Sequence, residues 1–230
     1  MELLKVENLT AKIGNKVILE NISFDLKERE ILAVMGPNGS GKTTLAKCIV
    51  NDKRIEKSGK ILFLGKDISD LETNEIAKLG IYLSMQFQPE IEYIKTKTFL
   101  EYLGIKNFEE VIKIAKDFNL PNDFLERGIN EKFSGGERKR FEILMIKLLN
   151  PKLIIFDEID SGLDLNFLDY LNEFLKEEIK NGKSFIIISH YTRIFREIKP
   201  DRVIVLKDGK IYKQGNGDII NLIEKHGYNI

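Results

Sequence analysis

The chain has 230 residues, 36 basic and 36 acidic, for a formal net charge of zero, and is 43% hydrophobic and 31% charged. That balance describes a folded domain with a sizeable core, excludes a disordered chain, and gives no reason to expect a nucleic-acid partner. The single cysteine, Cys48, excludes an internal disulfide framework or a multi-cysteine metal centre, and no apolar run approaches the roughly 20 residues that cross a bilayer.

At the start, Met1-Glu2-Leu3-Leu4-Lys5 lacks the basic opening and long apolar stretch of a secretory signal, so the expected compartment is the cytoplasm. Leu3 to Val6 and Val17 to Leu26 are strand-like, with Gly14-Asn15 as the turn between them. They are predicted to add an antiparallel N-terminal edge to a parallel core. Ile31 to Met35 is a short, wholly apolar run, the pattern of a strand buried on both faces. Residues 88–150 hold no strand-like run and carry Lys, Glu and Phe at helical spacing, which predicts a helical subdomain punctuated by Pro121 and Gly128. Leu153 to Phe156, Phe185 to Ser189 and Arg202 to Leu206 are three more buried-strand runs. Asp208-Gly209 signals a hairpin, and Asp218 to Lys225 an amphipathic helix. Strands alternating with helix-period stretches predict one α/β domain over residues 1–230, with a mostly parallel sheet and the helical lobe inserted at about 88–150.

The strongest local signal is Gly36-Pro37-Asn38-Gly39-Ser40-Gly41-Lys42-Thr43, set between an apolar strand and the helix-compatible stretch from Thr44 to Val50. This is the strand–loop–helix context of a phosphate-binding loop. Its glycines let backbone N–H groups turn around an anion, and the helix N-terminus adds a favourable dipole. Lys42 can reach terminal phosphates and the Thr43 hydroxyl can ligate Mg²⁺.

A second element is Leu153-Ile154-Ile155-Phe156-Asp157-Glu158, an apolar strand ending in two carboxylates. Asp157 suits Mg²⁺, directly or through water, and Glu158 suits orienting or deprotonating an attacking water. The third is Phe133-Ser134-Gly135-Gly136-Glu137-Arg138. Ser134 with Glu137 three residues on is a capping box, so this is first of all a helix start. The same start leaves N–H groups that can receive an anion.

These elements, followed by Ser161-Gly162-Leu163-Asp164 and by His190 at a strand end, resemble in type and order the nucleotide-binding domain of ATP-binding-cassette (ABC) proteins across essentially the whole chain. The resemblance implies a P-loop NTPase core of ABC ATPase fold that binds ATP with Mg²⁺ and hydrolyses it. It implies that Gly36 to Thr44 hold the nucleotide and that Thr43 and Asp157 serve the metal. Glu158, His190 and Gln86 would be catalytic, with His190 on the γ-phosphate. Gln86 would join the metal site and link nucleotide state to the partner-contacting lobe, although Gln88 lies two residues on. Ser134, Gly135 and Gly136 would bind the ATP held by a second subunit, in an ATP-dependent homodimer, and Asp164 would couple the two sites.

Departures from the common transporter-cassette pattern narrow the resemblance. Glu137 stands where Gln is usual, Ile159-Asp160 replace Pro-Thr, and Tyr191 replaces Asp after the histidine. These, with Gly80-Ile81-Tyr82, Pro89-Glu90-Ile91, Ile198-Lys199-Pro200-Asp201 and the closing Glu224-Lys225-His226-Gly227-Tyr228, resemble the SufC-type ATPases of the SUF iron–sulfur cluster assembly system. That implies a SufB/SufD-type scaffold as partner, with no direct membrane insertion; the alternative is the ATP-binding subunit of an ABC transporter. Where cassettes stack adenine on an aromatic ring this chain has Ile13, a loss of about 1 kcal/mol that predicts modest nucleotide affinity. Cys48 falls one turn into the helix after the loop and reads as buried filler; one thiol cannot hold a cluster.

Overall fold

The computed structural model describes the chain apart from Phe87, residues 160–164 and the side chains of residues 165–167. In order, β1 (Glu2–Ile13), β2 (Lys16–Lys27) and β3 (Ile31–Met35) lead to α1 (Lys42–Ile49). Next come β4 (Glu56–Phe63), β5 (Lys66–Asp67), α2 (Thr73–Leu79) and β6 (Ile81–Ser84). The middle of the chain forms β7 (Ile91–Lys95), α3 (Thr96–Tyr102), α4 (Phe108–Asp117), β8 (Gly128–Ile129) and α5 (Gly135–Leu149). The last third forms β9 (Leu153–Asp157), α6 (Leu165–Lys180), β10 (Ser184–Ser189), α7 (Ile194–Glu197), β11 (Arg202–Lys207), β12 (Lys210–Gly215) and α8 (Asp218–His226). Two compact units result, residues 1–84 with 151–230, and residues 85–150.

The first unit is built on a six-stranded sheet of order β12-β11-β3-β10-β9-β6, parallel except for the β11–β12 hairpin. The four apolar runs are its central strands, and every residue of β9 and β10 is buried. One face sends Leu32, Val34, Ile155, Ile186 and Ile188 into a core shared with Leu45, Cys48 and Ile49 of α1 and with Leu4, Leu19 and Ile22. On the other, Phe185 stacks on Phe156 and meets Phe174 of α6 edge-on, with ring centroids 6.0 and 6.4 Å apart. Burying each such Leu, Ile or Phe is worth about 1.5–3 kcal/mol, so the sheet is held from both sides.

The N-terminal strands are placed differently from the expectation. They do not extend the parallel sheet but form a second, antiparallel sheet of order β2-β1-β4-β5. β1 has no free edge to offer: β2 takes one side and β4 the other, in register from Leu4 opposite Phe63 to Lys12 opposite Glu56. The antiparallel edge strand of the parallel sheet is β12 instead. Arg202 of β11 ties the sheets together by donating to Glu30 and to the carboxylate and carbonyl of Asp25 in β2.

The second unit packs Phe141 of α5 edge-on against Phe124 and Phe133, with centroids 6.3 and 5.8 Å apart. It also holds a small antiparallel pair, β7 with β8, which corrects the expectation of a lobe without strands. β8 is only two residues long, too short for periodicity to register.

Cys48 is buried in α1, and burial pushes its thiol up to about 12. The folded protein should therefore resist alkylation at pH 8 and react fully once unfolded in guanidinium. Rapid labelling of the native chain would show the thiol exposed.

Candidate functional site

The register of the parallel strands assembles the site. Met35 of β3 lies opposite Ser189 of β10, and Ile188 lies opposite Asp157 of β9. Gly36, His190 and Glu158 each stand one residue past these aligned carboxyl ends, where ligands bind in open α/β sheets.

Two glycines shape the loop that leaves β3. A Cβ on Gly36 would lie 2.2 Å from the Leu206 carbonyl oxygen, and one on Gly41 would lie 2.5 Å from Leu19 Cδ2. Gly41, at φ 102°, is also the cap from which α1 starts. The first N–H groups of α1, from Lys42, Thr43 and Thr44, face the loop with no partner within the helix. Lys42 is only 5% exposed and its Nζ donates to the carbonyls of Gly36 and Pro37, at 2.9 and 3.0 Å. Burial holds the Lys42 ammonium below its usual range, against the opposing pull of Glu158 and Asp157. Ser40 Oγ is buried with no hydrogen-bond partner among the described residues. A buried hydroxyl left unpaired marks a place for a ligand.

Across the sheet edge, Thr43 Oγ1 donates to Asp157 Oδ1 at 3.1 Å. Asp157 is 4% exposed, and burial pushes its carboxyl above the usual range; the Thr43 hydrogen bond opposes this and the Glu158 charge adds to it. A hydroxyl and a carboxylate are hard oxygen donors, and a cation would relieve the buried charge, so the pair fits Mg²⁺. Among the described residues no group of three or more His, Cys, Asp or Glu side chains could hold a metal by itself. A cation here would therefore take its other oxygens from phosphate and water.

Glu158 adopts the left-handed backbone, φ 55°, and its N–H donates to the Ile188 carbonyl at 3.0 Å. Such a conformation costs a non-glycine residue roughly 1–2 kcal/mol and aims its side chain off the line of the strand. His190 Nδ1 lies 3.1 Å from Glu158 Oε1. Lys42, Thr43, Asp157, Glu158 and His190 thus gather in one unit.

In the second unit, Ser134 caps α5 by accepting from Glu137 N at 3.2 Å, while Ser134 N donates to Glu137 Oε2 at 2.7 Å. These bonds to Ser134 hold the Glu137 carboxyl below its usual range. A Cβ on Gly135 would meet nothing within 4 Å, so this helix start is open. Gln86 is exposed, two residues past the end of β6, and Gln88 is half-buried. Phe87 and the Ser161–Asp164 segment lie outside the described residues. Ile13 is exposed at the end of β1. Tyr228 carries a contact that no spacing revealed, a bond across 38 residues to the His190 carbonyl.

Comparisons with known proteins agree with this geometry. A probable ATP-dependent transporter (ycf16) of Pyropia yezoensis is 37% identical, covering 98% of this chain and 96% of that one. A nucleotide-free ATP-binding cassette from an ABC transporter superposes with a TM-score of 0.78 at 25% identity, covering 97% of this chain and 96% of that one. The cassette MJ0796, solved as a post-hydrolysis dimer bound to ADP and Pi, does so with 0.76 at 25% identity, covering 93% of this chain and 98% of that one. No helix of the described residues is long and apolar enough to cross a membrane. Residues 19–161 match the family model described as ABC transporter, and the chain belongs to that family as an ATP-binding, ATP-hydrolysing cassette.

Proposed function

We propose that the chain is a SufC-type ATPase of the cytoplasm, in which ATP closes two copies together and the motion acts on a SufB/SufD-type scaffold during iron–sulfur cluster assembly. The observation that carries the chemistry is the pair of contacts on aligned strand ends, Thr43 with Asp157 and Glu158 with His190. Lys42 exchanges the carbonyls of Gly36 and Pro37 for phosphate oxygens, and Ser40 and the α1 amides complete the cradle. Thr43 and Asp157 would hold Mg²⁺, which would neutralise charge on the phosphates, and by the resemblance Gln86 would join them. Glu158 orients the attacking water and accepts its proton, while His190 grips the γ-phosphate. Ser134, Gly135 and Gly136 of the second copy donate to the same γ-phosphate. Catalysis is then mostly positioning and charge stabilisation, with a site complete only in the dimer.

The scaffold reading draws on Glu137, Asp160 and Tyr191, which depart together from transporter cassettes. It is also supported by two nearly bare aromatic rings on neighbouring elements of the second unit, Tyr93 at 96% and Tyr102 at 88% exposure. Exposed aromatic residues are the usual anchors of protein interfaces. A transporter's ATP-binding subunit is the second reading, favoured by the Pyropia yezoensis relative, a probable ATP-dependent transporter.

Tagged purification from native cells, with and without detergent, separates the two. Recovery without detergent of a strand-rich scaffold that accepts an iron–sulfur cluster on reconstitution supports the assembly role. Recovery only of a polytopic membrane protein in detergent overturns it and leaves the ATPase chemistry standing. Replacing Tyr93 and Tyr102 together by Ser should abolish co-purification of the scaffold without lowering the thermal midpoint. Undiminished capture would place the docking surface elsewhere.

A further inference from the structure

The strand β10 ends at Ser189, so the carbonyl of the next residue, His190, has no ladder partner and must be satisfied from outside the sheet. Tyr228, just beyond α8, supplies the bond: its Oη donates to the His190 carbonyl at 2.8 Å. Glu224 of the same helix accepts from Arg196 Nε at 3.0 Å. Arg196 first, and then the hydroxyl of Thr192, hold the Glu224 carboxyl below its usual range. The C-terminal helix therefore grips the segment that carries His190 at both ends, at residue 190 and at residues 192–196.

Between these grips the turn is closed by Ser189. Its Oγ accepts from Tyr191 N at 2.9 Å and donates to the Tyr191 carbonyl at 3.1 Å. That turn lays the Tyr191 ring against the imidazole, with centroids 3.8 Å apart at 42°. The imidazole is thus bounded by the Tyr191 ring and by Glu158 Oε1 at 3.1 Å, and its backbone by Tyr228. A catalytic group misplaced by even 1 Å loses much of its effect, so what fixes this backbone fixes the rate.

We propose that α8 is a strut that sets the His190 imidazole against Glu158, with Tyr228 as the positioning residue at its tip. This rests on His190 acting on the γ-phosphate, as proposed above. No residue of the strut belongs to the phosphate loop, Gly36 to Thr44, so its removal slows turnover without weakening the binding of ATP.

Tyr228→Phe in the full-length chain removes one hydroxyl and keeps the ring. Its kcat should fall about fivefold, the worth of one neutral hydrogen bond, with KM for ATP changed by less than about twofold. The chain has two histidines, so imidazole NMR signals are assigned by His226→Asn alone. The His190 signal should move in Tyr228→Phe while the backbone spectrum stays native. Added to His190→Ala, Tyr228→Phe should cost nothing further, because a positioning residue has no effect once its target is gone.

An unmoved His190 signal, an unchanged kcat, or an equal loss in both backgrounds would overturn the strut. If His190→Ala is too slow to assay, the imidazole signal decides by itself. Full turnover in His190→Ala would instead overturn the reading of the active site, a different result from failure of the strut.

Discussion

Glu158→Gln lowers the steady-state ATPase rate by about 10²–10⁴-fold, the usual worth of a general base, while ATP still draws two subunits together. The substitution keeps the shape and the 3.1 Å approach to His190 but removes the charge that accepts a proton. Lys42, Thr43 and Asp157 are untouched, so binding survives and the closed state cannot discharge. Size-exclusion runs of the variant should show a dimer with Mg-ATP and a monomer with ADP. A variant that stays monomeric in ATP, or that hydrolyses at the parental rate, would mean that Glu158 is a cap of β9 and not the base.

Asp157→Asn should abolish activity and yet stabilise the nucleotide-free protein. Burial raises the Asp157 carboxyl above its ordinary value of 3.8, which is to say that the folded state resists its ionisation. A raised acid contributes stability that is present below the unfolded value and lost as pH rises through the folded one. At neutral pH the protein carries that loss, and Asn, which can still accept from Thr43, removes it. Thermal midpoint should rise at pH 7.5, by about 2–4 °C for each kcal/mol that the buried charge costs a chain this size. The gain should shrink to nothing as pH falls toward 3.8. Mg-ATPase should fall by about 100-fold or more, because the cation loses its charged protein ligand. A midpoint that drops at neutral pH would show that the carboxylate is a structural partner instead of a stored cost.

The parts of this molecule legible in sequence are those whose physics is local. Ile31–Met35 and Leu153–Phe156 read as buried strands because a parallel strand covered on both faces has no polar side to show. The Ser134 cap was legible because a capping box spans four residues. Pairing is not local, and there the reading went astray. The alternation in β1 and β2 identified strands but not which sheet they join. That depended on β4, whose Glu56-Lys57-Ser58-Gly59-Lys60 opening hides a strand under a polar surface. The two-residue β8 was invisible for want of length.

The site divides in the same way. Gly36 to Thr43 announced themselves through spacing, and Asp157 and Glu158 through their place at a strand end. What the motif does not carry is register, which sets Asp157 beside Thr43 and Glu158 beside His190 across more than 30 residues. Nor does it carry the Tyr228 bond to His190, since a tyrosine after a C-terminal helix has no signature.

The most direct test of a site completed by two subunits mixes two inactive variants. Lys42→Ala removes the phosphate ligand from one chain, and Ser134→Arg blocks the helix start in the other. Each alone should hydrolyse ATP at background. In the mixed dimer, one intact loop faces one intact Ser134, so turnover should reappear on mixing and grow with the fraction of mixed dimers. A mixture as inactive as its parts, although mixed dimers form, would contradict a γ-phosphate shared between subunits.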